Sequence, residues 1–197
     1  MINHFNGFKA ERANEPLPVG GYVAKIMAAE IKNYSWGDVL VISFDIAEGE
    51  YKDFFAKKYR ADTRDDKKWK GTFRINIPSE NSQYAESEKR NFNNMIWAIE
   101  ESNPGYHFDW DEAKFKGKAV GAIIREKEYY FNGKFGTTTE CGKFTSVDEI
   151  RNGTFRPLEL KPLSKKDKAQ MEADQGVAPA ETSGFPQIDE ADGELPF

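Results

Sequence analysis

Polar and apolar positions alternate most regularly from Val39 onward. Leu40, Ile42, Phe44 and Ile46 fall on one face, Val39, Val41, Ser43 and Asp45 on the other. A period of two marks a strand with one face on a core, and the pattern carries this strand to Tyr51. Upstream, Pro16-Leu-Pro-Val-Gly-Gly21 is turn chemistry that introduces a first strand over Tyr22–Ile31. Asn33-Tyr-Ser-Trp-Gly-Asp38 reads as a loop, with Gly37-Asp38 as a tight reversal, and Tyr51–Tyr59 reads as a further strand. From Ser82 to Ser102 the period lengthens. Phe92, Met95, Ile96 and Ile99 form the i, i+3, i+4, i+7 stripe of an amphipathic helix, and Ser102-Asn-Pro-Gly105 stops it. Ala119–Phe131 and Phe135–Thr145 are two strands joined by Asn132-Gly133, the dipeptide that best tolerates the paired positive φ angles of a type I′ turn. Ser146–Gly153 predicts a last turn of helix. No segment repeats.

Three strands, a helix and two strands predict an all-β fold with one α-helix, in the order of the OB type, a five-stranded Greek-key barrel. This domain is expected over residues 16–163. Residues 1–15 are polar and irregular, a flexible arm. From Ser164 the chain is rich in Lys, Asp, Gln, Ala, Pro and Ser, so residues 164–197 are expected to be a disordered tail.

Charge changes this picture. The formal net charge is −5, yet residues 172–197 hold seven acids (Glu172, Asp174, Glu181, Asp189, Glu190, Asp192 and Glu194) and no Lys or Arg. Removing that −7 leaves +2 on residues 1–171. A mildly basic body beside an acidic tail suits a polyanion-binding domain with an interaction segment. No apolar run is long enough to cross a membrane, and the start carries no signal-peptide pattern. The single cysteine, Cys141, fits a reducing cytoplasm.

Three clusters are candidate nucleic-acid contacts. Residues 57–74 hold eight bases against three acids. The bases Lys57, Lys58, Arg60, Arg64, Lys67, Lys68, Lys70 and Arg74 surround Tyr59, Trp69 and Phe73. A flexible arm or β-loop of this composition follows phosphates with its cations while bases stack on its rings. In the competing reading Trp69 and Phe73 are core residues under a solvated loop. The hairpin 125–143 offers Arg125, Lys127, Lys134 and Lys143 with Tyr129, Tyr130, Phe131 and Phe135. Strand neighbours point to opposite sides, so either Tyr130 or the pair Tyr129 and Phe131 faces outward; Tyr130 is the candidate carried forward. Lys32, Tyr34 and Trp36 in the first loop form the third cluster.

Enzyme signatures are missing: there is no GxxxxGK[ST], HExxH or GxSxG, and no Cys/His pair at useful spacing. His107-Phe-Asp109-Trp-Asp111-Glu112 matches no metal-ligand spacing and reads as a polar loop before a strand. Neither catalysis, a cofactor nor a metal is expected.

The end, Asp192-Gly-Glu-Leu-Pro-Phe197, sets an apolar tip behind acids. Asp192, Glu194, Leu195, Pro196 and Phe197 suit an apolar pocket with a basic rim on a partner protein. This end resembles the acidic tail of single-stranded-DNA-binding proteins of the bacterial and phage kind, whose Pro-Phe tip binds replication and recombination enzymes. Here the acids are sparser and Leu195 stands for the usual isoleucine. The body is similar to a phage and prophage family long carried as a domain of unknown function. The matching stretches are Pro18-Val-Gly-Gly-Tyr22, Phe44-Asp-Ile-Ala-Glu-Gly49, the helix through Trp97, and Phe115-Lys-Gly-Lys118. The resemblance implies an OB-like fold and sequence-independent single-stranded DNA binding in replication or recombination, in the cytoplasm of a bacterial host. A homo-oligomer fits this class. A strand annealase and a protein-interaction adaptor are the alternatives.

Overall fold

The computed structural model describes residues 15–174. It is mostly β, with five strands in one antiparallel sheet: β1 (Gly20–Tyr34), β2 (Gly37–Ile46), β3 (Thr72–Asn76), β4 (Ala119–Phe131) and β5 (Lys134–Thr145). The order across the sheet is β3-β2-β1-β4-β5, so β1 is central and pairs with both β2 and β4. Strands β3 and β5 are the two edges. The sheet curls enough to bring the Phe73 and Phe144 rings, one from each edge strand, to 4.4 Å between centroids.

Among the described residues four α-helices accompany the sheet, where the sequence predicted one full helix and a last helical turn: α1 (Phe54–Ala61), α2 (Ala85–Glu101), α3 (Val147–Asn152) and α4 (Lys165–Asp174). Helix α2 is the predicted one and packs against β3, β4 and β5. Phe92, Met95, Ala98 and Ile99 are its buried face. They join Leu40, Ile42, Phe44 and Ile46 of β2 in a single apolar core, as the period-two and i, i+3, i+7 patterns require. Helix α3 is the expected last turn. Ser146 caps it by accepting from the Glu149 N–H at 3.2 Å, and Gly153 closes it in the left-handed region.

Helix α1 overturns the strand expected over Tyr51–Tyr59, and its cause is distant in sequence. Asp45, buried on β2, accepts from the N–H groups of Phe55 at 2.9 Å and Ala56 at 3.0 Å. Those are orphan donors of a first helical turn, and a carboxylate there also complements the helix dipole. Strand β2 correspondingly ends at Ile46 and not at Tyr51. The basic stretch 57–74 is therefore no flexible arm: it is most of α1, a connection, and then β3.

Two further corrections concern the turns and the tail. Strand β1 continues to Tyr34 and pairs with Gly37, so the reversal falls at Ser35-Trp36 and not at Gly37-Asp38. Residues 165–174, expected to be disordered, form α4. The approach to it, around Lys161, pairs with β4: the Lys161 N–H donates to the Glu126 carbonyl and the Glu128 N–H to the Lys161 carbonyl, both at 2.9 Å. The Leu163 N–H donates to the Glu128 carboxylate at 3.0 Å, and the Tyr130 hydroxyl to Asp174 at 2.9 Å. The hairpin turn, by contrast, is as read: Asn132 and Gly133 have φ of 49° and 74°. No helix among the described residues is long and apolar enough to cross a membrane.

Candidate nucleic-acid interface

A groove of about 820 Å³ opens where the edge strand β3 faces the β4–β5 hairpin. Its walls carry six cations, Lys58 from α1, Lys70 and Arg74 from β3 and its approach, Arg125 and Lys127 from β4, and Lys161. Glu140 is the one carboxylate in that wall. Such clustering holds like charges together, which costs free energy unless an anion is present. Much of the floor is apolar, with Phe54, Phe55 and Phe73 among the lining residues.

The period of two explains the hairpin side. Arg125, Lys127 and Tyr129 point to one face of β4, opposite Glu140, Thr138 and Gly136 of β5. Glu140 draws three of the cations together: Arg125 Nη2 at 3.2 Å, Lys127 Nζ at 3.2 Å and Lys161 Nζ at 3.1 Å. Burial raises its pKa, but the Lys161 and Lys127 charges outweigh that, and the carboxyl sits below its ordinary value. The three cations are thus held converging on one anionic group, an arrangement a phosphate can exploit. Tyr129 lies across Gly136, where a Cβ would come within 2.8 Å of the tyrosine oxygen. Glycine there lets the ring lie close to β5 along the groove wall.

Arg74 joins the groove to the first-loop cluster. Its Nη2 donates to the Tyr34 hydroxyl at 2.6 Å, and the Tyr34 ring stacks on Trp36 with centroids 5.2 Å apart and planes 12° from parallel. Trp36 is 65% exposed, so part of its surface is open to a further ring. Lys32, on the same strand, pairs with Glu30 at 2.9 Å.

The other cations of 57–74 divide. Arg64 is engaged by Asp62 through two bonds of 2.9 Å and 2.6 Å, which hold the Asp62 carboxyl well below the usual range. Lys67 sits over the Tyr59 ring at 4.8 Å and donates to the Asp62 carbonyl. Lys57, Arg60 and Lys68 are exposed outside the groove wall. Lys58 lies 4.7 Å from the Phe54 ring centroid, and burial lowers its pKa from the ordinary lysine value.

Trp69, a candidate stacking ring, is half-buried between Phe55 and Tyr59. Its indole N–H is spent on the Phe44 and Gly71 carbonyls at 3.1 Å and 3.0 Å. It buttresses α1 against β2, and Phe73 is core.

On the hairpin, Tyr129 borders the groove, whereas Tyr130 turns toward α4 and Asp174. Lys134 lies beside the turn, and Lys143 is exposed on β5 away from the groove wall. Lys161 carries no signal in sequence, since it stands beside a Lys-rich tail with nothing to tie it to β4. Two other exposed indoles, Trp97 and Trp110, line neither this groove nor the one described below. Asp109, Asp111 and Glu112 flank Trp110 and disfavour a polyanion there. Asp109 is engaged by Lys114, and Asp111 caps the short turn Glu112–Phe115. The tip residues Asp192, Glu194, Leu195, Pro196 and Phe197 and the arm 1–14 lie outside the described residues.

A comparison with models of protein families finds none that matches the chain, and a comparison with curated proteins finds no match either.

Proposed function

We propose that the chain binds single-stranded DNA without strong sequence preference, in the groove between β3 and the β4–β5 hairpin. One observation carries the reading: six cations face a single carboxylate along a groove bordered by Tyr129 and linked through Arg74 to the Tyr34–Trp36 stack. Cations that follow a sugar-phosphate backbone, beside rings on which unpaired bases stack, are what sequence-tolerant single-strand binding requires. Each stacked base adds roughly 1–3 kcal/mol, and a duplex keeps its bases stacked on each other and cannot use the rings.

The fold supports the same reading. β1 pairs with β2 and β4, the edges β3 and β5 face each other, and α2 lies between β3 and β4 in the chain, which supports reading the sheet as an OB barrel. The OB ligand surface includes the loops after the first and fourth strands. Here those are the Ser35-Trp36 reversal and the Asn132-Gly133 turn. Beyond α4 the acidic segment with its Leu-Pro-Phe tip would recruit replication or recombination proteins, as its resemblance suggests.

Fluorescence anisotropy of labelled oligo-dT, set against a duplex of equal length, tests the proposal. Single-strand binding at least tenfold tighter than duplex binding is expected, roughly the contribution of one or two stacked bases. Equal affinity for both would leave only a general polycation surface and overturn it.

A further inference from the structure

We infer that the bound strand does not end in the first groove but continues into a second one, on α2 and α4. This inference rests on the single-strand reading and extends it. The second groove is larger, about 1170 Å³, and runs between α2, the hairpin from Arg125 and Glu128 of β4 to Phe135 at the start of β5, the segment 161–165 and α4. Arg125 and Lys161 line both grooves. Two of the three cations gathered on Glu140 therefore stand at the junction, where a strand leaving the first groove can place its next phosphate.

The second groove repeats the chemistry of the first. Arg90 from α2 and Lys168 from α4 add charge, and both are exposed. Tyr84 and Phe135 line it with rings that are 47% and 53% exposed. Its two carboxylates are already engaged: Glu88 accepts from the Asn76 side-chain amide at 3.1 Å, and Glu128 from the Leu163 N–H at 3.0 Å. Both donors are neutral amides, so the two carboxylates keep their charge, and it is the five cations of the lining, Arg90, Arg125, Lys161, Lys165 and Lys168, that leave the groove positive.

A path that passes from one groove to the other at the base of the hairpin suits only a flexible chain. Duplex DNA, with a persistence length of about 50 nm, does not bend over so short a distance without a large deformation energy. A single strand does. The segment around Lys161 and α4 thereby become part of the binding surface.

The test compares oligo-dT of about 6 and about 16 nucleotides, lengths within the range occupied on OB domains. It uses the full chain and the double variant Arg90→Ala/Lys168→Ala, with a thermal melt to verify that the variant is folded. The wild-type chain is expected to bind the long oligonucleotide at least tenfold more tightly than the short one. The variant should bind the short one unchanged and lose about tenfold on the long one, since each phosphate contact on a single strand carries a salt slope of about 0.7. Unchanged binding of both lengths, or an equal loss on both, would overturn the second groove. If the wild-type chain binds neither length, the single-strand reading itself has failed.

Discussion

Replacing Lys58, Lys70 and Arg74 together by alanine is expected to weaken single-stranded DNA binding on the order of a hundredfold at about 0.1 M salt. All three line the first groove. Each neutralised phosphate on a single strand contributes about 0.7 to the slope of log affinity against log salt. Three lost contacts therefore remove roughly 2 from the slope, about two decades of affinity over a tenfold span of salt. The slope is the more telling readout, because damage to the fold lowers affinity without flattening it. Arg74 also holds the Tyr34 hydroxyl, so part of its loss will appear as weaker stacking at Trp36. A triple variant with wild-type affinity and slope would remove the groove from the account.

Phe144→Ala is expected to have the largest effect on stability, about 3–5 kcal/mol, the usual range for a buried phenylalanine. Phe144 is 1% exposed. Its ring meets Phe73 at 4.4 Å and Phe44 at 5.8 Å, so it ties edge strand β5 to edge strand β3 and to the C-terminal part of β2, near Ile46. No hydrogen-bond ladder joins those edges. Ring contact carries much of the closure, and the groove above it inherits its width from that contact. Urea denaturation checks the value. A loss under about 1 kcal/mol would mean that the edges are held by something other than these rings.

The contrast between what was legible in the sequence and what was not follows the range of the interactions. The β4–β5 hairpin was legible because a type I′ turn is decided by two adjacent residues, Asn132 and Gly133. The buried face of α2 was legible because its period lies within one helix. Helix α1 was not, because the carboxylate that satisfies its first N–H groups comes from Asp45 on the preceding strand. Without that partner, Phe54, Phe55 and Tyr59 read as strand formers. The strand order survived the misplacement only because Thr72–Asn76 took the third position.

The site divides in the same way. Local charge density pointed to residues 57–74, yet spacing alone cannot separate Arg64, engaged by Asp62, from Lys58, Lys70 and Arg74, which line the groove. The aromatic run 129–131 limits the outward choice to two faces, and Tyr130, the candidate from sequence, is not on the groove but bonded to Asp174 of α4. Tyr129 borders the groove because Gly136, across the hairpin, leaves room for its ring. Lys161 enters through a bridge to Lys127, a pairing with no trace in sequence.

The most direct measurement is photo-crosslinking of the protein to an oligo-dT containing 5-iodouracil, with the attached residues located by mass spectrometry. The account predicts adducts at Tyr129 and Trp36, rings within reach of the first groove, and at Phe135 or Tyr84 where the strand continues. Adducts confined to Trp97 and Trp110, outside both grooves, would contradict it.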